Sequence, residues 1–209
     1  GAIELTLPEF RVVIDSEGKA VDMVEVEHDF SHQLVEEFML AANRVVAEWA
    51  ASNHLPSLHR QHPGPKEERV AELAEYLTAS GYPFKPPLTR KKLMKVINQA
   101  AGKPEQHAIN LMILKSFQQA VYGPEADVGH FALNFAKYMH FTSPIRRYPD
   151  LYLHQMLDKA FAMGAAKANK LPKKLRKLVQ GDDNLVTLGQ HTSGRERRAM
   201  RIEEAVKDF

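Results

Sequence analysis

The spacing of apolar residues in this chain changes near residue 30, and that change calls for a short β element followed by a helical body. Between Ile3 and Glu27 apolar and polar residues roughly alternate: Ile3, Leu5 and Leu7 first, then Val12, Val13, Met23, Val24 and Val26. Ser16-Glu17-Gly18-Lys19 lies between the two groups, so the segment reads as strands joined by a tight turn. From about Ser31 the spacing becomes three and four. Leu34, Phe38, Ala41, Ala42, Val45 and Trp49 form one stripe of a helix reaching about Ala51, while Glu36, Leu40 and Asn43 lie on another face. Pro56 and Pro63-Gly64-Pro65 mark a loop, and a helix follows from about Lys66 to Ser80, ended by Gly81-Tyr82-Pro83. Thr89 caps a helix over residues 90–101, and Pro104-Glu105 opens another that reaches about Val121 before Gly123-Pro124. Helices are expected again over about 144–163 and 184–207, with a lysine-rich, largely helical stretch over 167–180. The expected fold class is α+β, mostly helical, with a short N-terminal β element and no internal repeat.

Composition narrows the class of partner. No apolar run approaches the ~18 residues a membrane helix needs, so no membrane span is expected. The N-terminus lacks a basic-then-apolar signal pattern, and the chain has no cysteine for disulfide or thiolate chemistry. A cytoplasmic location fits these features. Net charge is only +2, but residues 1–139 hold 14 Lys and Arg against 18 Asp and Glu, whereas residues 140–209 hold 14 against 8. A basic second half suits a polyanion, although a charged run is as often a solvated face. Lys167, Lys170, Lys173, Lys174, Arg176 and Lys177 leave both readings open, as do Arg195, Arg197, Arg198 and Arg201. Ten histidines are present, but there is no HExxH pattern and no cysteine ligand, so no metal site is expected among these residues. The one adjacent aspartate pair, Asp182-Asp183, reads as a turn or helix cap.

The basic half opens with His140-Phe141-Thr142-Ser143-Pro144-Ile145-Arg146-Arg147-Tyr148-Pro149-Asp150-Leu151. Two adjacent hydroxyls, a proline and two adjacent arginines sit where a loop runs into a helix. Pro144 suits a first helical turn, Thr142 or Ser143 can cap it, and the free N–H groups of that turn favour an anion. Arg146 and Arg147 add permanently charged planar forks that match phosphate oxygens. The residues by themselves describe a site that handles phosphodiesters. Arg147 has a competing structural reading, an ion pair with Asp150.

The run HFTSPIRRYPDLYLHQ closely resembles the signature of the ribonuclease II / ribonuclease R family of exoribonucleases. Other segments resemble that family in the family's order. Gly1 to Met23 looks like the end of the first part of its catalytic domain, and Leu34-Val35-Glu36-Glu37-Phe38-Met39-Leu40-Ala41-Ala42-Asn43 like its long central helix. Gln119-Ala120-Val121-Tyr122 and Gly129-His130-Phe131-Ala132-Leu133 precede the signature, and His191-Thr192-Ser193-Gly194-Arg195-Glu196-Arg197-Arg198-Ala199 resembles the closing helix. The resemblance implies that residues 1–209 are the C-terminal part of an RNB-type catalytic domain. The family's metal-binding aspartate motif would lie upstream and its OB-fold domain downstream.

It further implies 3′-to-5′ hydrolysis of single-stranded RNA to nucleoside 5′-monophosphates. The alternative is a non-catalytic RNA-binding or regulatory protein on the same domain. Magnesium, or manganese in its place, would be bound mainly by aspartates outside this chain, with no metal ligand inside it. The chain would be inactive without the upstream segment, its expected partner together with single-stranded RNA. Arg146 would be catalytic, offsetting charge at the scissile phosphate. Thr142 and Ser143 would bond phosphate oxygens, with Arg147 as support. Glu36, with Glu37 as the other candidate, and Asn43 would face the RNA channel.

Overall fold

Asp15 turns the chain back on itself: its Oδ1 accepts the N–H groups of Glu17 and Lys19, each at 2.9 Å, and Gly18 takes the left-handed φ of 80° that closes the turn. The strands on either side, β1 (Phe10–Ile14) and β2 (Ala20–Glu25), pair antiparallel with an irregularity between Val13 and Ile14. The computed structural model describes residues 2–5, 7, 10–25, 29–164 and 182–207. The expected hairpin is present. Ile3 and Leu5 belong to neither strand and pack instead against a helical core.

That core belongs to the first of two units, made of residues 1–27, 63–119 and 131–134. It holds α2 (Glu67–Ala79), α3 (Arg90–Ala100) and α4 (Gln106–Ser116). In α3, Leu93, Val96, Ile97 and Ala100 recur at three- and four-residue steps and are all buried against Leu73, Leu77, Ile109 and Ile113. Thr89 caps α3 as expected, accepting the Lys92 N–H at 3.3 Å. Helix α4 stops at Ser116, short of the expected Val121, because the backbone of Val121–Gly123 is committed to a strand.

The second unit takes residues 28–62, 120–130 and 135–209. It contains α1 (Phe30–Ser52), β3 (His59–Gln61), β4 (Val121–Gly123), a single 3-10 turn at Ala126–Val128, α5 (Tyr148–Ala162) and α6 (Asp182–Lys207). Asp29 starts α1 by accepting the His32 N–H at 2.9 Å. The helical period of α1 is as read from the sequence, but its buried face is rotated from the expected stripe. Asn43, Ala47 and Ala50 are buried, while Leu34, Phe38 and Val45 are exposed. Ala47 and Ala50 share a core with Leu153, Met156, Leu157 and Ala160 of α5.

Strands β3 and β4 pair antiparallel, with Arg60 opposite Tyr122; β3 lies in a stretch whose prolines suggested only a loop, and β4 starts at Val121, the expected end of a helix. Helix α5 begins at Tyr148 rather than Pro144, so Pro149 is the proline in its first turn and Pro144 belongs to the preceding bend. Asp182 and Asp183 are the first residues of α6. The basic run from Lys167 to Lys177 lies outside the described residues. No helix among the described residues is long and apolar enough to cross a membrane.

Candidate functional site

The bend Ser143–Arg147 is shaped by its own backbone and by one buried carboxylate. The N–H groups of Arg146 and Arg147 donate to the Ser143 carbonyl at 3.3 and 3.1 Å. Asp150, wholly buried at the third position of α5, accepts with a single oxygen, Oδ1, from the Ser143 N–H at 2.8 Å and from Arg147 Nη2 at 2.7 Å. A carboxylate there also lies at the electropositive end of the helix, which favours its charge. The anion at this helix start is thus supplied by the protein itself. The pair is one-armed: Arg147 Nε and Asp150 Oδ2 are buried without a hydrogen-bond partner among the described residues.

Holding Arg147 in this way leaves Arg146 outward. Arg146 is exposed, and its guanidinium makes no hydrogen bond or ion pair with any described residue. It stands at a cleft of about 700 Å³ between the bend and α6, where Arg147, His191 and Arg195 add further cationic or polar groups. Tyr122, Tyr148 and Leu188 supply apolar wall, and Glu196 is the one acidic side chain in the lining. The Arg147 charge is offset by Asp150 and that of Glu196 by Arg60, so Arg146 and Arg195 make this wall suited to an anion.

Glu196 is already engaged. Arg60 of β3 donates to its Oε2 at 2.6 Å and lies over the Tyr122 ring at 4.7 Å. The Tyr122 N–H donates to Ser193 Oγ on α6 at 2.8 Å, and the Tyr122 hydroxyl shares a 2.8 Å hydrogen bond with His140 Nδ1. Gly189, one turn before Ser193, lets the helix lie directly on β4, since a Cβ there would fall 2.5 Å from the Tyr122 carbonyl oxygen. One strand residue therefore joins α6 to the first residue of the signature.

The electrostatics follow from burial beside arginines. Burial, then the Arg147 and Arg60 charges, push His140 down to about 2. Burial with His62 and Arg60 pushes His130 down to about 3, and burial with Lys137 pushes His59 down to about 4. The Tyr122 phenol is pushed up to about 12, mainly by burial. At neutral pH these groups are uncharged hydrogen-bonding and packing elements. His154 donates from Nε2 to the Phe141 carbonyl at 2.9 Å and stacks flat on its ring at 4.3 Å, which fixes its tautomer.

The residues singled out from the sequence are distributed unevenly. Arg146 and Arg147 line the cleft, while Thr142 and Ser143 are half-buried in the bend beside it and do not line it. Asn43, expected to face RNA, is only 4% exposed: its Nδ2 donates to the Tyr138 hydroxyl at 3.0 Å and its Oδ1 accepts the Phe141 N–H at 2.9 Å. It therefore props the signature from behind. Glu36 is exposed on the first half of α1 and is not part of the cleft, and neighbouring Glu37 is also exposed. The roles of Arg60, Tyr122 and Glu196 were not read from the sequence. The Gly189/Ser193 pair, small residues four apart, is the signal that could have marked the crossing of α6 on a strand. Among the described residues no group of three or more His, Cys, Asp or Glu could hold a metal ion.

Residues 1–162 match the model of the RNB domain. Proteins called ribonuclease R are similar to the chain: that of Aquifex aeolicus (strain VF5) is 40% identical over 77% of this chain and 23% of its own length. That of Thermotoga maritima is 33% identical over 95% and 28%, and that of Escherichia coli (strain K12) 30% identical over 100% and 25%. The chain thus spans about a quarter of the length of these curated relatives. In fold it is similar to Mycoplasma genitalium RNase R in complex with ribose methylated single-stranded RNA, with a TM-score of 0.85 at 24% identity over 100% of this chain and 32% of that one. Yeast Ssd1, described as a pseudonuclease, shares the fold at a TM-score of 0.59 and 23% identity over 76% of this chain and 20% of its own. A signature bend held by a buried carboxylate, on a mostly helical α+β frame matched over 162 residues, marks the chain as a member of the RNB domain family.

Proposed function

We propose that this chain is part of the catalytic domain of an exoribonuclease that degrades single-stranded RNA from its 3′ end, releasing nucleoside 5′-monophosphates, and that it works in the cytoplasm. The observation that carries the reading is Arg146. It is an exposed guanidinium without a protein partner among the described residues, on a bend fixed from beneath by Asp150, at the mouth of an arginine-lined cleft. Its relatives' common name, ribonuclease R, supplies the polymer.

Arg146 would meet the scissile phosphate and offset the charge that grows on it in the transition state. Because Asp150 orients the bend beforehand, little reorganisation is needed when the phosphate arrives. Arg147 would act as support, holding the bend through its pair with Asp150. The hydroxyls of Thr142 and Ser143 would donate to phosphate oxygens beside the cleft. Asn43 would serve by holding Phe141, and exposed Glu36 would contact RNA further along α1. A magnesium or manganese ion would activate water and stabilise the leaving oxygen. The described residues do not fit a metal centre, so the ligands of such an ion would be aspartates outside the chain.

The test uses the full-length protein with uniformly labelled single-stranded RNA and magnesium. Arg146→Ala should lower the rate of mononucleotide release by roughly 10²–10³, the usual consequence of losing one preorganised charge-stabilising donor, with RNA still retained. The likeness to a pseudonuclease gives the second reading, RNA binding without hydrolysis. RNA retention with no mononucleotide released by the wild-type protein would select that reading instead.

A further inference from the structure

We propose that the first unit carries a separate binding site for the phosphates of an RNA backbone, in the cleft formed by α3 and the loop after α2. The cleft, of about 660 Å³, is lined by Lys85, Lys92, Lys95 and Lys103 around Tyr82 and Phe84. Two of the four ammonium groups are pinned by neutral oxygens. Lys92 Nζ donates to the carbonyls of Lys85 at 2.7 Å and Pro87 at 2.9 Å, and Lys103 Nζ donates to the Tyr82 hydroxyl at 3.1 Å. An ammonium held by carbonyls, as Lys92 is, keeps its full charge for a ligand, whereas Lys103 shares the Tyr82 hydroxyl with Glu105 and its charge is partly offset by that carboxylate. The rings add to the pinning, with Lys92 over Phe84 at 5.9 Å and Lys103 over Tyr82 at 5.0 Å.

Lys85 and Lys95 are exposed, and their ammonium groups make no hydrogen bond or ion pair with any described residue. The single acid in the lining, Glu105, accepts the Tyr82 hydroxyl at 2.7 Å, and that bond holds its carboxyl below the usual range. Four positive charges therefore face one negative charge. A shallower cleft of about 590 Å³ continues along α3 through Lys91, Lys92 and Lys95. The positive surface is thus a track, which suits a repeating polyanion better than a lone anion. Tyr82 and Phe84 are each 5% exposed, too buried to stack on bases, so the contact is with phosphates and is insensitive to base sequence. That the polyanion is RNA rests on the function proposed above; the site itself rests on the lysines.

The experiment measures binding of a fluorescent single-stranded RNA to the full-length protein across a range of salt. Lys85→Gln with Lys95→Gln removes the two unpinned ammonium groups. It should weaken binding and reduce the slope of log affinity against log salt by about 1.4, two contacts at roughly 0.7 each. A matched pair, Lys66→Gln with Lys115→Gln, removes two exposed charges of the same unit outside the cleft and should leave the slope near wild type. Thermal melts verify that both variants fold. Binding by the cleft variant equal to wild type, or an equal loss in both variants, would overturn the site. Neither result touches the Arg146 hydrolysis test, so the two readings fail separately; a wild-type protein that binds no RNA at any salt would end both.

Discussion

Asp150 decides the conformation of the signature because one oxygen serves two donors. Removing it would leave the Arg147 guanidinium, whose side chain is 20% exposed, without its carboxylate, and the Ser143 N–H without its acceptor. Asp150→Ala is expected to cost about 3–5 kcal/mol, the range for breaking a buried pair from one side. Asp150→Asn can keep the Ser143 bond but not the charge, so it should cost less and yet slow the proposed RNA hydrolysis through a misplaced Arg146. Urea unfolding and single-turnover hydrolysis of both variants separate the two effects. Equal stability of Asp150→Ala and wild type would show that the bend is held by something else. At this scale the sequence was legible. An ion pair with Asp150 was one of two readings the sequence left open for Arg147, and the structure forms it, leaving Arg146 exposed. Asn43 was misread, because an amide on a helix face looks the same from sequence whether it meets solvent or a buried tyrosine.

Helix α6 stays in register on β4 through two positions, Gly189 and Ser193. Gly-to-Ala substitution in an exposed helix interior gains up to about 1 kcal/mol from helix propensity. Gly194 has nothing within 4 Å of an added Cβ, so Gly194→Ala should show that gain as a raised melting temperature. Gly189→Ala should do the opposite. Its Cβ would meet backbone at 2.5 Å, and overpacking of this kind costs about 1–3 kcal/mol. It should also reshape the cleft between α6 and the bend and lower the proposed RNA hydrolysis. Melting curves for the pair check the prediction, and a stabilising Gly189→Ala would mean that α6 does not lie on β4 as described. Elements with a local cause were readable in advance: the turn over Ser16–Lys19 and the Thr89 cap with the helix it starts. Strands β3 and β4 were not, because their pairing joins residues some sixty positions apart and neither segment has a strand pattern of its own.

Over the molecule, the second unit stores a pH dependence in its neutral histidines. His59, His130 and His140 are pushed from about 6.5 to about 4, 3 and 2, so below about pH 6.5 the unfolded chain binds protons that the folded one refuses. Stability from these groups is complete above that pH and is lost as pH falls toward the folded values, by at most about 1.4 kcal/mol per pH unit for each histidine. The urea midpoint should therefore fall steadily between pH 7 and pH 5, and His140→Gln should make the profile shallower; a flat wild-type profile would contradict the burial of these rings. By itself the sequence determined the sequence of helices and turns, the helical α+β class and the family, because periodicity, caps and the signature are local in the chain. It also marked the pair of arginines as candidates. Tertiary structure decided which face of α1 is buried, which arginine is tied down and which is free, and that Tyr122 joins a strand, a helix and the signature. Each of those depends on the partner a side chain meets, and the partner is set by packing between segments distant in the chain.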